Sequence, residues 1–320
     1  MAKFYFVRLV FVVILLVAGW SSQAQTTYYS LVSGDWNNPK IWTLDPAAAV
    51  PSNPQSRFPG ENDNVVIKTG RTITMNANNF KAKVLTVDGR LEMKKTSGHQ
   101  FAQIRGGGRI IMEADNFPVG DATHFTSKNQ GEGTVVFTGD SYAITSTRTF
   151  FDVEVDLNAG AVLTLSQNLQ LNGDLDIRSG KVQFNNNSGT TSYTFRAAGD
   201  IKLASGTEFA VGTGNAVHHL YVEGSLINNG VIDFANGAQY AAASNGAVVL
   251  HFEGTTDEEF VVNGRTDLYR MFLNKGNDRT YELAVRAGDP DYFKLFGPIA
   301  GGSGVLPGDG PGGWERLALV

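Results

Sequence analysis

The sequence predicts an all-β chain wound as a right-handed parallel β-helix, on three observations. Apolar residues alternate in short runs, and no stretch of 12 residues after the first two dozen shows a 3.6-residue apolar period. Gly and Asn punctuate those runs at close intervals, which marks strands joined by tight turns. Three central segments also superimpose at a period near 25 residues, the sign of a unit that buries its apolar face only by stacking on its neighbours.

The N-terminus comes first in the chain and settles the expected compartment. Lys3 and Arg8 form a basic start, Leu9–Gly19 is an apolar run, and Ser22 and Ala24 occupy small-residue cleavage positions. This predicts a signal peptide over 1–24, cut after Ala24. The run is short for a membrane helix, which needs about 20 apolar residues. Without cysteine the chain has neither disulfides nor a lipid-bearing N-terminal thiol. Removing Lys3 and Arg8 leaves 24 basic against 31 acidic residues, a net charge near −7. That balance gives no electrostatic reason to bind nucleic acid or an anionic membrane.

Residues 25–296 are expected to form one solenoid. Its clearest turns are Leu169–Phe184, Phe195–Phe209 and Leu220–Phe234. Their first glycines, Gly173, Gly199 and Gly224, are spaced 26 and 25 residues apart, and their second, Gly180, Gly206 and Gly230, 26 and 24. Leu169/Leu171, Leu175/Ile177 and Val182/Phe184 alternate before, between and after the glycines of the first unit. Each unit therefore holds three short strands and two corners, with glycine expected there because it accepts positive φ. Asn172, Asn228 and Asn229 beside the corners suit ladders between turns. Val65–Thr74 and Val84–Met93 repeat the strand–Gly–strand pattern upstream. A larger block, Gly133–Gly139 with Thr149–Gly160, recurs about 115 residues later as Gly246–Gly254 with Tyr269–Gly276. A β-sandwich array is the alternative fold. From Gly297 to 320 the chain turns Gly/Pro-rich and reads as a tail or linker, ending on a strand-like run after Trp314.

Tyr28–Trp42 and Pro59–Gly70 resemble the opening of the glycine-rich G8 domain and the start of large secreted surface proteins of Bacteroidetes. The Thr149–Gly160 and Tyr269–Gly276 blocks resemble repeats of the same proteins. The resemblance implies a β-helical protein that is secreted or held at a bacterial cell surface. Such proteins often leave through the type IX system by a C-terminal sorting domain, and no such domain is visible in this sequence.

Two residue groups are candidates for function. Trp36 and Trp42, with Tyr28 and Tyr29, offer an aromatic platform for a sugar ring, or else plug the open end of the core, where large aromatics bury much area. Asp174, Asp176, Asp200 and Lys202 share an outer strand face, with Asp174 expected over Asp200 and Asp176 over Lys202. Clustered carboxylates beside a base are what a polysaccharide lyase presents, and pairing between turns is the plainer role. His99, His124, His218, His219 and His251 show no metal-ligand spacing, and His218-His219 is expected in a return loop. No metal or cofactor is called for, calcium being left open without a motif. Gly106–Gly108 has no following Lys-Ser/Thr, so it is no phosphate loop. The functional expectation is a secreted structural or adhesion protein contacting extracellular glycans or cell surfaces without catalysis. A lyase or glycosidase on the same β-helix is the alternative.

Overall fold

A computed structural model describes residues 25–185, 191–212, 214–236, 246–276, 280–296, 305–307 and 316–319. The expected signal peptide lies outside these residues. Among them the chain is a parallel β-helix, with successive turns stacked into sheets of 6, 12, 7 and 7 strands. The 12-stranded sheet runs the length of the stack. The 6-stranded sheet faces it in the N-terminal turns, and the two 7-stranded sheets replace that partner from residue 142 onward.

The central repeat folds as the alternation requires. Leu175 pairs in parallel with Ile201, and Ile201 with Leu226. Leu169, Phe195 and Leu220 form a second inward column, and Val182, Phe209 and Ile232 a third. All nine are buried. A turn alone would leave its apolar side chains in water, whereas stacking buries each at roughly 1.5–3 kcal/mol. Phe184, Phe209 and Phe234 pack ring to ring along the axis, at centroid distances of 5.7 and 5.2 Å.

The N-terminal turns are smaller. Val65, Leu85 and Ile104 stack at steps of 20 and 19 residues, and each of these turns carries two strands instead of three. Corners of two to four residues alternate there with strandless returns of six or seven. The two copies of the larger block also differ in place. Thr134–Gly139 belongs to the 12-stranded sheet, but Ala247–Phe252 belongs to a 7-stranded one. Similar Gly-bounded apolar strands fit any face of the coil, so that sequence likeness does not fix position. Val305–Pro307 and Arg316–Leu319 pair in parallel with Met271–Leu273 and Glu282–Val285, so the stack continues past residue 296.

The corner glycines serve two different purposes. Gly206 has φ +83° with open space around its α-carbon, so positive φ selects glycine there. Gly199 is not in that region. A β-carbon on it would lie 2.1 Å from Asp174 Oδ1 and 2.8 Å from the Gly173 carbonyl carbon, so close approach of consecutive turns excludes a side chain. The same holds at Gly173 and Gly224, which corrects the expectation that φ alone places these glycines. Asn263 Nδ2 donates to Asn229 Oδ1 at 2.9 Å, one rung of the anticipated Asn ladder.

The N-terminal end is closed by aromatics. Trp36 and Trp42 meet edge to face at 5.3 Å, and Phe80 and Phe101 lie within 5.8 Å of Trp36. The short strand Trp42–Thr43 runs antiparallel to Thr27–Ser30 and covers the edge of the 6-stranded sheet, which blunts an otherwise unpaired strand edge.

Candidate functional site

One 7-stranded sheet contains Arg148–Phe150, Leu169–Leu171, Thr194–Ala197, Val217–Val222, Ala247–Phe252, Arg270–Leu273 and Val305–Pro307. Alternation sends Leu169, Phe195, Leu220, Leu250 and Met271 inward. The residues one position on point outward and stack in register as Thr149, Gln170, Arg196, Tyr221, His251 and Phe272.

Four of these make a continuous stack. The Arg196 guanidinium sits 3.8 Å over the Tyr221 ring. Tyr221 stacks on His251 at 4.2 Å and 13°, and His251 on Phe272 at 5.0 Å and 11°. In-register strands lie about 4.8 Å apart, so flat groups at equivalent positions meet face to face. The rings therefore turn their faces to each other and their edges to solvent. Arg196 also pairs with Glu253 at 2.9 Å. His219, two residues before Tyr221 on the same outer face, places Nδ1 3.0 Å from His251 Nε2. Burial holds the His251 pKa down to about 4, helped by His219 and Arg196, and burial lowers that of His219. Both imidazoles are thus neutral at pH 7.

At the Arg196 end the stack opens into a groove of about 430 Å³, lined by Arg148, Asn168, Gln170, Thr194, Arg196 and Tyr221 among others. Arg148 lies 5.7 Å over the Phe117 ring and 3.9 Å from Asp115, and its buried Nε has no hydrogen-bond partner. The lining is rich in N–H donors and hydroxyls. These groups suit hydrogen bonding to oxygen acceptors, since both faces of the Tyr221 ring are already occupied.

The carboxylate candidates lie elsewhere, with Asp174 and Asp200 at a corner and Asp176 and Lys202 on the strands of the 12-stranded sheet that follow it. Asp176 does face Lys202 in register. Asp174 Oδ1 accepts the Asp200 backbone N–H at 2.8 Å, and Asp200 Oδ1 accepts that of Ser225 at 2.9 Å. Lys202 Nζ reaches Asp200 at 3.0 Å and Asp174 at 3.6 Å, and its pKa is raised chiefly by the hydrogen bond to Asp200. Asp176 is held apart from them by Arg178 at 2.7 Å, which also reaches Glu154 at 2.6 Å. The structure therefore gathers Asp174, Asp200 and Lys202 and leaves Asp176 in a second ion pair.

Trp36 and Trp42 are 0% and 1% exposed. Trp42 donates from Nε1 to the Trp36 carbonyl at 2.8 Å. A sugar platform needs an open ring face, and these indoles are packed into the end of the core. His218 and His219 lie within the strand Val217–Val222, not in a return loop. His218 is buried between Phe184 and Tyr193 rings, and its Nδ1 accepts the Tyr193 N–H at 3.0 Å. Among the described residues no three His, Cys, Asp or Glu side chains converge as a metal cluster.

The outward stack was partly within reach of sequence reasoning. Gln170, Arg196 and Tyr221 hold the same position in the three aligned segments. His251 and Phe272 belong to turns of different length, so no fixed period lines them up.

Residues 52–153 match the model of the G8 domain family, a span that takes in the smaller turns from Asn64 onward and the first strands of the wider ones. The G8-like opening read from the sequence falls partly within that match. No curated protein and no solved structure matches the chain.

Proposed function

We propose that this protein is a secreted or cell-surface adhesion solenoid that binds extracellular glycans without altering them, through the outer face that carries Arg196 and Tyr221. The observation that carries this reading is the donor-rich groove beside an in-register Arg196–Tyr221–His251–Phe272 stack. A face built from rigid strands holds its donors at fixed spacing, which lowers the ordering cost of binding a repeating polymer. The basic and apolar N-terminal run and its small-residue cleavage site support export.

Glycan-array binding of the purified chain, with and without calcium, tests this, with the same samples assayed for polymer cleavage. Saturable binding without cleavage, weakened about tenfold or more by Arg196→Ala, is the expected result. Binding that Arg196→Ala leaves unchanged places the glycan on another face. Release of unsaturated products overturns the non-catalytic reading. It would favour a lyase centred on Asp174, Asp200 and Lys202, whose lysine Nζ lies 3.6 Å from Asp174 and 3.0 Å from Asp200.

A further inference from the structure

We propose that His219 and His251 form a two-imidazole site for a divalent transition-metal ion of the copper, nickel or zinc class on the outer face of the 7-stranded sheet. The proposal does not depend on the glycan reading.

His219 Nδ1 and His251 Nε2 face each other across neighbouring strands at 3.0 Å. Two nitrogens bound to one ion at about 2.0–2.1 Å lie roughly 3.0–3.4 Å apart, depending on the angle between them. The observed separation therefore already suits two bonds to one ion, and admitting it requires the rings, His219 above all, to turn so that both lone pairs meet off the line between the nitrogens. The backbone holds both histidines in place, since Tyr221 pairs with His251 and His219 with Val249 in a six-residue parallel register. Stacking fixes the His251 ring, with Tyr221 on one side at 4.2 Å and Phe272 on the other at 5.0 Å. Such preorganisation is what a two-ligand site requires.

The hydrogen bond between the two rings is compatible with metal binding. Without metal, one facing nitrogen carries the hydrogen of the shared hydrogen bond. A tautomeric shift moves it to the other nitrogen of that ring, so metal binding needs no net proton loss. Arg196, the cation stacked on Tyr221, is separated from His251 by the Tyr221 ring and is paired with Glu253. Imidazole nitrogens select copper, nickel and zinc over calcium and magnesium, which prefer oxygen. With two protein ligands, the remaining positions go to water or to oxygens of a bound molecule.

The test is titration of the purified chain, made without a histidine tag, with Cu²⁺, followed by calorimetry and electron paramagnetic resonance. One saturable site per chain is expected, with hyperfine splitting from two imidazole nitrogens. His219→Ala and His251→Ala should each weaken it by about tenfold or more, while His124→Ala leaves it unchanged. Thermal unfolding of each variant without metal shows that it folds. Cu²⁺ should raise the midpoint of the parent and of His124→Ala but of neither His219→Ala nor His251→Ala. Absence of saturable binding, or binding that survives either substitution, overturns the proposal.

Discussion

Asp174 Oδ1 accepts the backbone N–H of Asp200 at 2.8 Å, one rung of a ladder that climbs the first corner of the solenoid. Asp152 does the same for Asp174, Asp200 for Ser225, and the Ser225 hydroxyl for Glu259 at 3.1 Å. Each turn of the coil thus caps the corner of the next. The glycine before three of the four acceptors, Gly173, Gly199 and Gly224, lets the turns approach closely enough for the bond to form.

Asp200→Ala removes one rung and a partner of Lys202. Hydrogen bonds to charged groups contribute about 1.5–3 kcal/mol when buried, and partial exposure of this corner reduces that to about 1 kcal/mol. Denaturant unfolding should show that loss. Asp200→Asn keeps an acceptor and should lose less than half as much. Equal losses in both would mean that the ladder bond is not the source.

The two kinds of corner glycine are separable by alanine. Gly206→Ala meets open space and pays only for its positive φ, about 1–2 kcal/mol. Gly199→Ala drives a β-carbon into Asp174 and the Gly173 backbone, and should cost more than about 2 kcal/mol. Thermal midpoints in the reverse order would sink this account.

Trp36→Ala should destabilise the chain by about 3–5 kcal/mol, because it empties a large site within the core. Trp42→Phe loses the hydrogen bond to the Trp36 carbonyl and should cost about 1 kcal/mol. Trp36→Phe, once shown to fold, should keep its glycan binding. Its loss would restore the indoles as a sugar platform.

Acid should weaken the fold through two buried histidines. His99 and His218 are buried, and burial holds each pKa down to about 4. In each ring Nδ1 accepts a backbone N–H, from Phe80 and Tyr193 respectively, so a proton there would meet a donor. Because the folded pKa lies below the unfolded value near 6.5, the unfolded chain takes up the proton first. The stability from the neutral rings is full above about pH 6.5 and is lost as pH falls through the window down to about 4. Each buried ring should account for on the order of 1 kcal/mol or more. Unfolding free energies at pH 7.5 and pH 5 check this, and His218→Phe should flatten the slope. Equal stability at the two values would refute it.

Alternation and a 25-residue period were sufficient to place Leu169, Leu175 and Val182 in three inward columns, because side-chain direction along a strand depends on position alone. The same local rule placed Asp176 over Lys202. It could not tell why Gly199 is glycine, since that depends on how near the neighbouring turn comes. Nor could it place His251 beside His219. Thirty-two residues separate them, and the intervening turn is longer than its neighbours, so the period gives no register.

What the sequence by itself determined is the all-β coil, its three-strand turns and which side chains face inward, all consequences of short-range alternation and the need to bury apolar area by stacking. Only the tertiary structure decided that the N-terminal turns carry two strands and that Trp36 and Trp42 lie inside. It alone brought Arg196, Tyr221, His251 and Phe272 into one stack. Those outcomes depend on the distance and register between turns, which loops of unequal length set and which no local pattern encodes.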